Sequence, residues 1–170
     1  LIKEDSKGKS LSADAGSFAD LGLIQANTNV NNEIISLQSP AIMTDVVKRL
    51  HLNMDYHVDG GFYREVLYGR TLPINVSIDT PNDNESSALT VKILADSTVE
   101  LSDFIRNGEE LPGKLLKGQL RDTIMTPVGK VTICPTPYYT SQFSQPIYVS
   151  RSGLYSAVRR YAPNLSVVLN

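Results

Sequence analysis

Few residues in this chain have the type and spacing to do chemistry, and each has a plainer reading beside it. His51 and His57 are the two histidines. Six apart on one expected strand, they share a face but stand about 20 Å apart at strand rise, too far for one metal ion. Two solvent-facing imidazoles is the plainer reading. Glu109-Glu110 is a carboxylate pair, but adjacent residues in a Gly-flanked loop are usually just solvated. Ser152-Gly153 beside Arg151 reads as a helix start, not a nucleophile, and no Gly-x-Ser-x-Gly elbow occurs. Lys114 follows Gly113 without the glycine and Ser/Thr of a phosphate loop, so neither nucleotide binding nor phosphotransfer is expected. Cys134 closes the apolar run Val131-Thr-Ile-Cys134, which predicts a buried, inert thiol. The expectation is therefore no catalytic, cofactor or metal residue in the chain. Phe62, Tyr63, Tyr68, Tyr138 and Tyr139 form a candidate sugar-stacking platform, against the commoner role of tyrosine as half-buried core.

Composition narrows the classes. The 170 residues carry a net charge of −2 with both signs spread along the chain, so no basic stretch points to nucleic acid. A chain of this length removes roughly 70% of its extended surface on folding and needs no disulfide. A single cysteine forms none internally. No apolar run reaches the roughly 20 residues of a membrane span. Three sequons, at Asn75, Asn84 and Asn164, matter only in a secreted eukaryotic protein.

The elements that would position these residues are organised around Val30 to Leu50. Asn29 to Asn32 suits a helix start, with Glu33 in the first turn favoured by the helix dipole. Ser39-Pro40 then marks a second helix, a cap followed by proline at its first position. Ile42, Val46, Val47 and Leu50 fall on one face and Thr44, Asp45, Lys48 and Arg49 on the other. Such a helix is expected to lie on a sheet. Alternation from Leu50 to Val58 predicts a strand, and Asp59-Gly60-Gly61 a turn. Phe62 to Tyr68 suits a short helix as well as a strand. Strands are expected over Ile74–Ile78, Leu89–Ile93, Val99–Leu101, Ile124–Cys134 with a turn at Pro127-Val-Gly129, and Ile147–Val149. Thr80 to Ser87 is the clearest loop, and Asn107-Gly108 and Pro112-Gly113 are turns. Ser150 or Ser152 is expected to cap a last helix that buries Leu154, Ala157, Val158 and Tyr161 and stops before Pro163. Lys3 to Gly16 is expected to be a mobile loop. Leu1-Ile2 and Leu165 to Leu169 are expected to be neighbouring strand ends of a domain cut from something longer.

The fold class is thus α+β: a mixed, mostly antiparallel sheet covered by amphipathic helices, with residues 80–150 a β-rich elaboration, all in one domain over residues 1–170.

The stretch Asn32-Glu-Ile-Ile-Ser-Leu-Gln-Ser-Pro40, followed by Asp45-Val-Val-Lys-Arg-Leu-His-Leu52, resembles the chain-length determinant (Wzz-type) family of bacterial polysaccharide co-polymerases. That family shows a similar helix start and a similar "V-V-x-x-L-x-L" end. Tyr56, the Leu67-Tyr68 pair, Pro73 and the strand Ile74–Ile78 extend the likeness. Thr126 to Ile133 is similar to a segment of the subgroup fused to tyrosine autokinases. The resemblance implies a non-catalytic periplasmic domain of an inner-membrane protein. It also implies a homo-oligomer, working with polysaccharide polymerase or export machinery and with polysaccharide as a further partner, that sets capsular or exopolysaccharide length. Kinase machinery would lie outside this chain. A stand-alone carbohydrate-binding module using the exposed tyrosines, and a hydrolase, are the competing readings.

Overall fold

The structure is a computed structural model that describes residues 32–37 and 39–165. The expectations for Lys3 to Gly16, for the cap at Asn29 and for both chain ends fall outside those residues.

Residues 32–37 are helical (α1). Helix α2 runs Pro40–Arg49, and the Ser39 side chain caps it by accepting the Ile42 N–H at 3.3 Å, with Pro40 in the first turn. Asp45 and Arg49 pair at 2.8 Å across one turn of its outer face. The helix ends in a Schellman arrangement. His51 takes the left-handed position at φ 52°, and the Leu52 N–H bonds the Val47 carbonyl at 3.0 Å. The expected strand from Leu50 is therefore interrupted by this turn, and β1 spans only Met54–Asp59.

Two antiparallel sheets follow. The larger has the order β2-β1-β10-β4-β5-β6, with β7 also on β5. Its strands are β1, β2 (Arg64–Val66), β4 (Ser87–Ile93), β5 (Thr98–Arg106), β6 (Glu109–Glu110), β7 (Leu116–Gln119) and β10 (Ile147–Arg151). The smaller has the order β3-β9-β8, built from β3 (Ile74–Asp79), β8 (Thr123–Thr126) and β9 (Gly129–Pro135). Within residues 80–150, β4 lies between β10 and β5 inside the larger sheet. Phe62 to Tyr68 resolves as neither full alternative, with only Arg64–Val66 extended, followed by a 3-10 turn over Gly69–Thr71.

Strand alternation builds the core. Ile74, Val76 and Ile78 of β3 and Val131 and Ile133 of β9 face Leu89, Val91 and Ile93 of β4 and Ile147 and Val149 of β10 in one buried cluster. The β4–β5 turn places both Asp96 and Ser97 at positive φ, and Asn107-Gly108 does the same for β5–β6, the geometry of tight hairpins. One irregularity matters. The register of β4 against β5 shifts between Ala88 and Thr90, where β5 carries an extra residue at Asp103, φ 53°. The bulge moves the inward position from 103 to 104, and Phe104 is buried.

The helices correct two expectations. The buried residues of α2 are Met43 and Val47, whereas Ile42 and Leu50 are 41% and 64% exposed. The surface beneath α2 is another helix, α3 (Leu154–Tyr161), which meets it through Ala157 and Val158. A helix-on-helix contact needs a narrower stripe than a sheet would cover, which leaves the flanking Ile42 and Leu50 in water. Neither Ser150 nor Ser152 caps α3. The N-cap is Gly153, and its N–H donors are met from a distant loop: Leu154 N–H by the Asp83 carbonyl at 2.9 Å and Tyr155 N–H by Asn84 Oδ1 at 3.1 Å. A Cβ on Gly153 would strike the Asn84 carbonyl, so that docking requires glycine.

Candidate functional site

A cleft of about 610 Å³ lies where the β1–β2 segment meets the β3 edge. The α2–β1 turn contributes Leu50, His51 and Leu52. Strand β1 contributes Met54, Asp55 and Tyr56, and β2 contributes Val66, with Leu67 to Gly69 and Leu72 from the chain after it. The outer face of the small sheet lines it too, with Asn75 and Ser77 on β3 and Thr132 and Cys134 on β9. Tyr161 closes the α3 end.

Tyr56 fastens the cleft floor. Its hydroxyl accepts the Val76 N–H at 3.0 Å and donates to the Val76 carbonyl at 3.4 Å, joining β1 of one sheet to β3 of the other. Burial pushes the Tyr56 phenol above its ordinary value, and the bond to Val76 opposes part of that rise. The phenol therefore stays protonated at neutral pH and serves as a tie between backbones. Tyr68 is 75% exposed, but its backbone is set: its N–H bonds Thr71 Oγ1 at 3.1 Å and its carbonyl accepts from the same hydroxyl at 3.0 Å. Asp55 is the one carboxylate in the lining, and Arg160 of α3 holds it at 3.2 Å. That bond also holds the Arg160 guanidinium above its ordinary value.

The sequence candidates separate in space. His51 lines the cleft, while His57 stacks on Tyr148 with ring centres 4.5 Å apart. Burial first, and the nearby Arg64 second, hold the His57 imidazole below its ordinary value. Cys134 is exposed, contrary to the buried thiol expected from its apolar neighbours. Period two explains the difference, because Val131 and Ile133 point inward and so send Thr132 and Cys134 outward. Cys134 and His51 share the cleft, yet among the described residues no hydrogen bond joins thiol to imidazole, and an activated nucleophile needs such a partner. Glu109 and Glu110 are exposed on β6. Of the five aromatic platform candidates, Tyr68 alone lines the cleft. Phe62 and Tyr63 are exposed in the β1–β2 turn, and Tyr139 is half-buried with its hydroxyl unpaired. Tyr56, Tyr161, Asn75 and Ser77 were legible only as strand or helix positions. The signal available for Asn75 and Ser77 was polar alternation on β3, which gives a wet face but not what stands opposite it.

A second polar cluster is structural. The Arg151 side chain is 7% exposed and donates to Thr80 Oγ1 at 2.9 Å, to the Glu85 carbonyl at 3.2 Å and to Asp83 Oδ1 at 3.3 Å. Lys48 of α2 reaches the same Asp83 carboxylate at 2.9 Å. The Lys48 hydrogen bond, with both positive charges behind it, holds Asp83 below the usual carboxylate range against some desolvation. The cluster ties α2, the 80–86 loop and β10 together.

Among the described residues, no group of three or more His, Cys, Asp or Glu is arranged to hold a metal ion, and no helix is long and apolar enough to cross a membrane. What the cleft offers is a concave surface lined by apolar side chains and by uncharged polar groups. No protein-family model matches the chain, and no curated protein matches it.

Proposed function

We propose that this chain is a non-catalytic periplasmic domain of a bacterial inner-membrane protein that regulates the chain length and export of capsular or exopolysaccharide, in a parent that is a tyrosine autokinase. The observation that carries the reading is the resemblance of residues 32–52 to the Wzz-type helix pair. Its support from the fold is local: residues 32–37 are helical, Ser39 caps α2, and the matched Leu50-His-Leu52 forms the turn that ends α2. In this reading the domain works as a homo-oligomer. Flanking membrane helices raise the effective concentration of its copies, so weak contacts between charged surfaces suffice.

The test is genetic and chemical. Deleting the parent gene in its own bacterium should change the length distribution of surface polysaccharide on a gel, and the full-length gene should restore it. An unchanged distribution overturns the proposal. So does a parent gene with no apolar run of about 20 residues on either side of this segment.

A further inference from the structure

We propose that the cleft between the β1–β2 hairpin and β3 binds a short stretch of uncharged glycan, with one sugar ring on the face of Tyr68 and ring hydroxyls paired by Asn75 and Ser77. The inference deepens the reading above and rests on it for the source of the glycan.

Four properties of the cleft select this ligand. The first is size: about 610 Å³ lies within the roughly 300–1,000 Å³ of small-ligand sites. The second is charge. Among the described residues, no lysine or arginine lines the cleft and the single carboxylate is already engaged by Arg160, so neither an anion nor a cation finds a counter-charge from them. The third is the polar wall. Asn75 and Ser77 stand exposed on β3 and present an amide and a hydroxyl, which both donate and accept, as sugar hydroxyls do. A hydrocarbon ligand would strip water from these groups and return nothing. The fourth is the backbone. A peptide strand adding to the β3 edge would need the Val76 N–H and carbonyl, and the Tyr56 hydroxyl occupies both. Tyr68, Val66 and Leu50 also line the cleft, and their exposed apolar surface suits the C–H face of a pyranose. An exposed tyrosine ring with a fixed backbone loses little conformational freedom when a sugar stacks on it.

Cys134 supplies the readout, being the one cysteine of the chain, exposed, and part of the cleft wall. The experiment follows its alkylation by iodoacetamide in the intact chain. The neutral probes are cellotetraose, maltotetraose and chitotetraose, and tetragalacturonic acid is the charged counterpart. At least one neutral tetrasaccharide should slow alkylation saturably, by about fivefold at several times its Kd, because only the unoccupied fraction reacts. Tyr68→Ala and Asn75→Ala should abolish the protection. Tyr138→Ala, which removes an exposed tyrosine outside the cleft lining, should keep it. The proposal is overturned if no neutral probe protects at about 10 mM, where even a millimolar site is mostly filled. It is equally overturned if Tyr68→Ala is protected as well as the parent chain, or if only the charged probe protects. These outcomes leave the gene-deletion result untouched. Conversely, an unchanged polysaccharide length with intact Cys134 protection would discard the regulatory role and keep the glycan site.

Discussion

The described residues hold two hydrophobic clusters of very different size. Between the sheets, 17 buried residues from six strands and their connections form one continuous core among the described residues. Between α2 and α3, the cluster is Met43, Val47, Ala157 and Val158. What attaches this second cluster to the first is largely polar. Lys48 bonds Asp83, Arg160 bonds Asp55, the Ser152 N–H bonds the Asn53 carbonyl at 2.8 Å, and the 83–84 loop caps α3. Apolar burial stabilises by roughly 25 cal/mol per Å² and grows with the area removed from water, whereas exposed ion pairs contribute about 0–1 kcal/mol each. The sandwich should therefore unfold as the global unit, and the helix pair should open at lower free energy while the sheets remain closed. The cleft lies along this boundary, with Tyr68 and Asn75 on the firm side and Leu50, His51 and Tyr161 on the soft one.

The largest effect should come from the sandwich. Phe104→Ala empties a fully buried site beside Gly113 and should cost about 3–5 kcal/mol, lowering the denaturation midpoint without changing its slope. Hydrogen exchange should then rise in both regions together. Next comes Met43→Ala, expected to cost about 2 kcal/mol because the small cluster can partly collapse around the lost side chain. Its signature is faster exchange in α2 and α3 with β4, β5 and β10 unchanged. Equal loss of protection in the central strands would show that the two regions are one cooperative unit.

Ser39→Ala removes the acceptor for the Ile42 N–H and should cost on the order of 1 kcal/mol, confined to the helix pair. A midpoint and helix exchange rate both unchanged would show that Pro40 alone sets the helix start. The smallest effect is the response to acid. Asp83 is depressed in the folded state, so its contribution is complete above its unfolded value of about 3.9 and is lost as pH falls through the lower folded value. Acidification through that window should accelerate exchange in α2 before the sheets respond. Lys48→Met should remove most of this pH dependence, since the Lys48 bond is its leading cause. A Lys48→Met profile identical to the parent would assign the tether to Arg151 instead.

How much was legible varied with the range of the interaction. Ser39-Pro40 announced its helix because cap and first turn are adjacent in the chain, and the hydrogen bond spans three residues. The helical face Leu154, Ala157, Val158 and Tyr161 is legible as a face, since all four enter or border the cluster, but it meets α2 and not the sheet expected beneath it. The hairpin turn at Asn107-Gly108 was readable from residue type alone. By contrast, the α2 face was misjudged because periodicity marks a stripe without saying how wide its partner is. Cys134 was misjudged because composition ranks a run as apolar while only register says which residue looks inward.

What the amino-acid sequence by itself determined is the set of local choices. Period-two runs became strands, Gly, Asn and Asp placed turns, and the α+β class followed from their sum. What the tertiary structure alone decided is which wet faces meet. Asn75, Ser77 and Tyr68 line one cleft because Tyr56 bridges β1 to Val76, 20 residues further along the chain. Phe104 replaces residue 103 in the core because a bulge in β5 changes its parity against β4. The α3 start is capped by Asn84 from 71 residues away, so no local cap residue was needed there. Each of these depends on chain segments brought together by the burial of apolar surface, an interaction without direction or sequence range, which fixes proximity only once the whole core has formed.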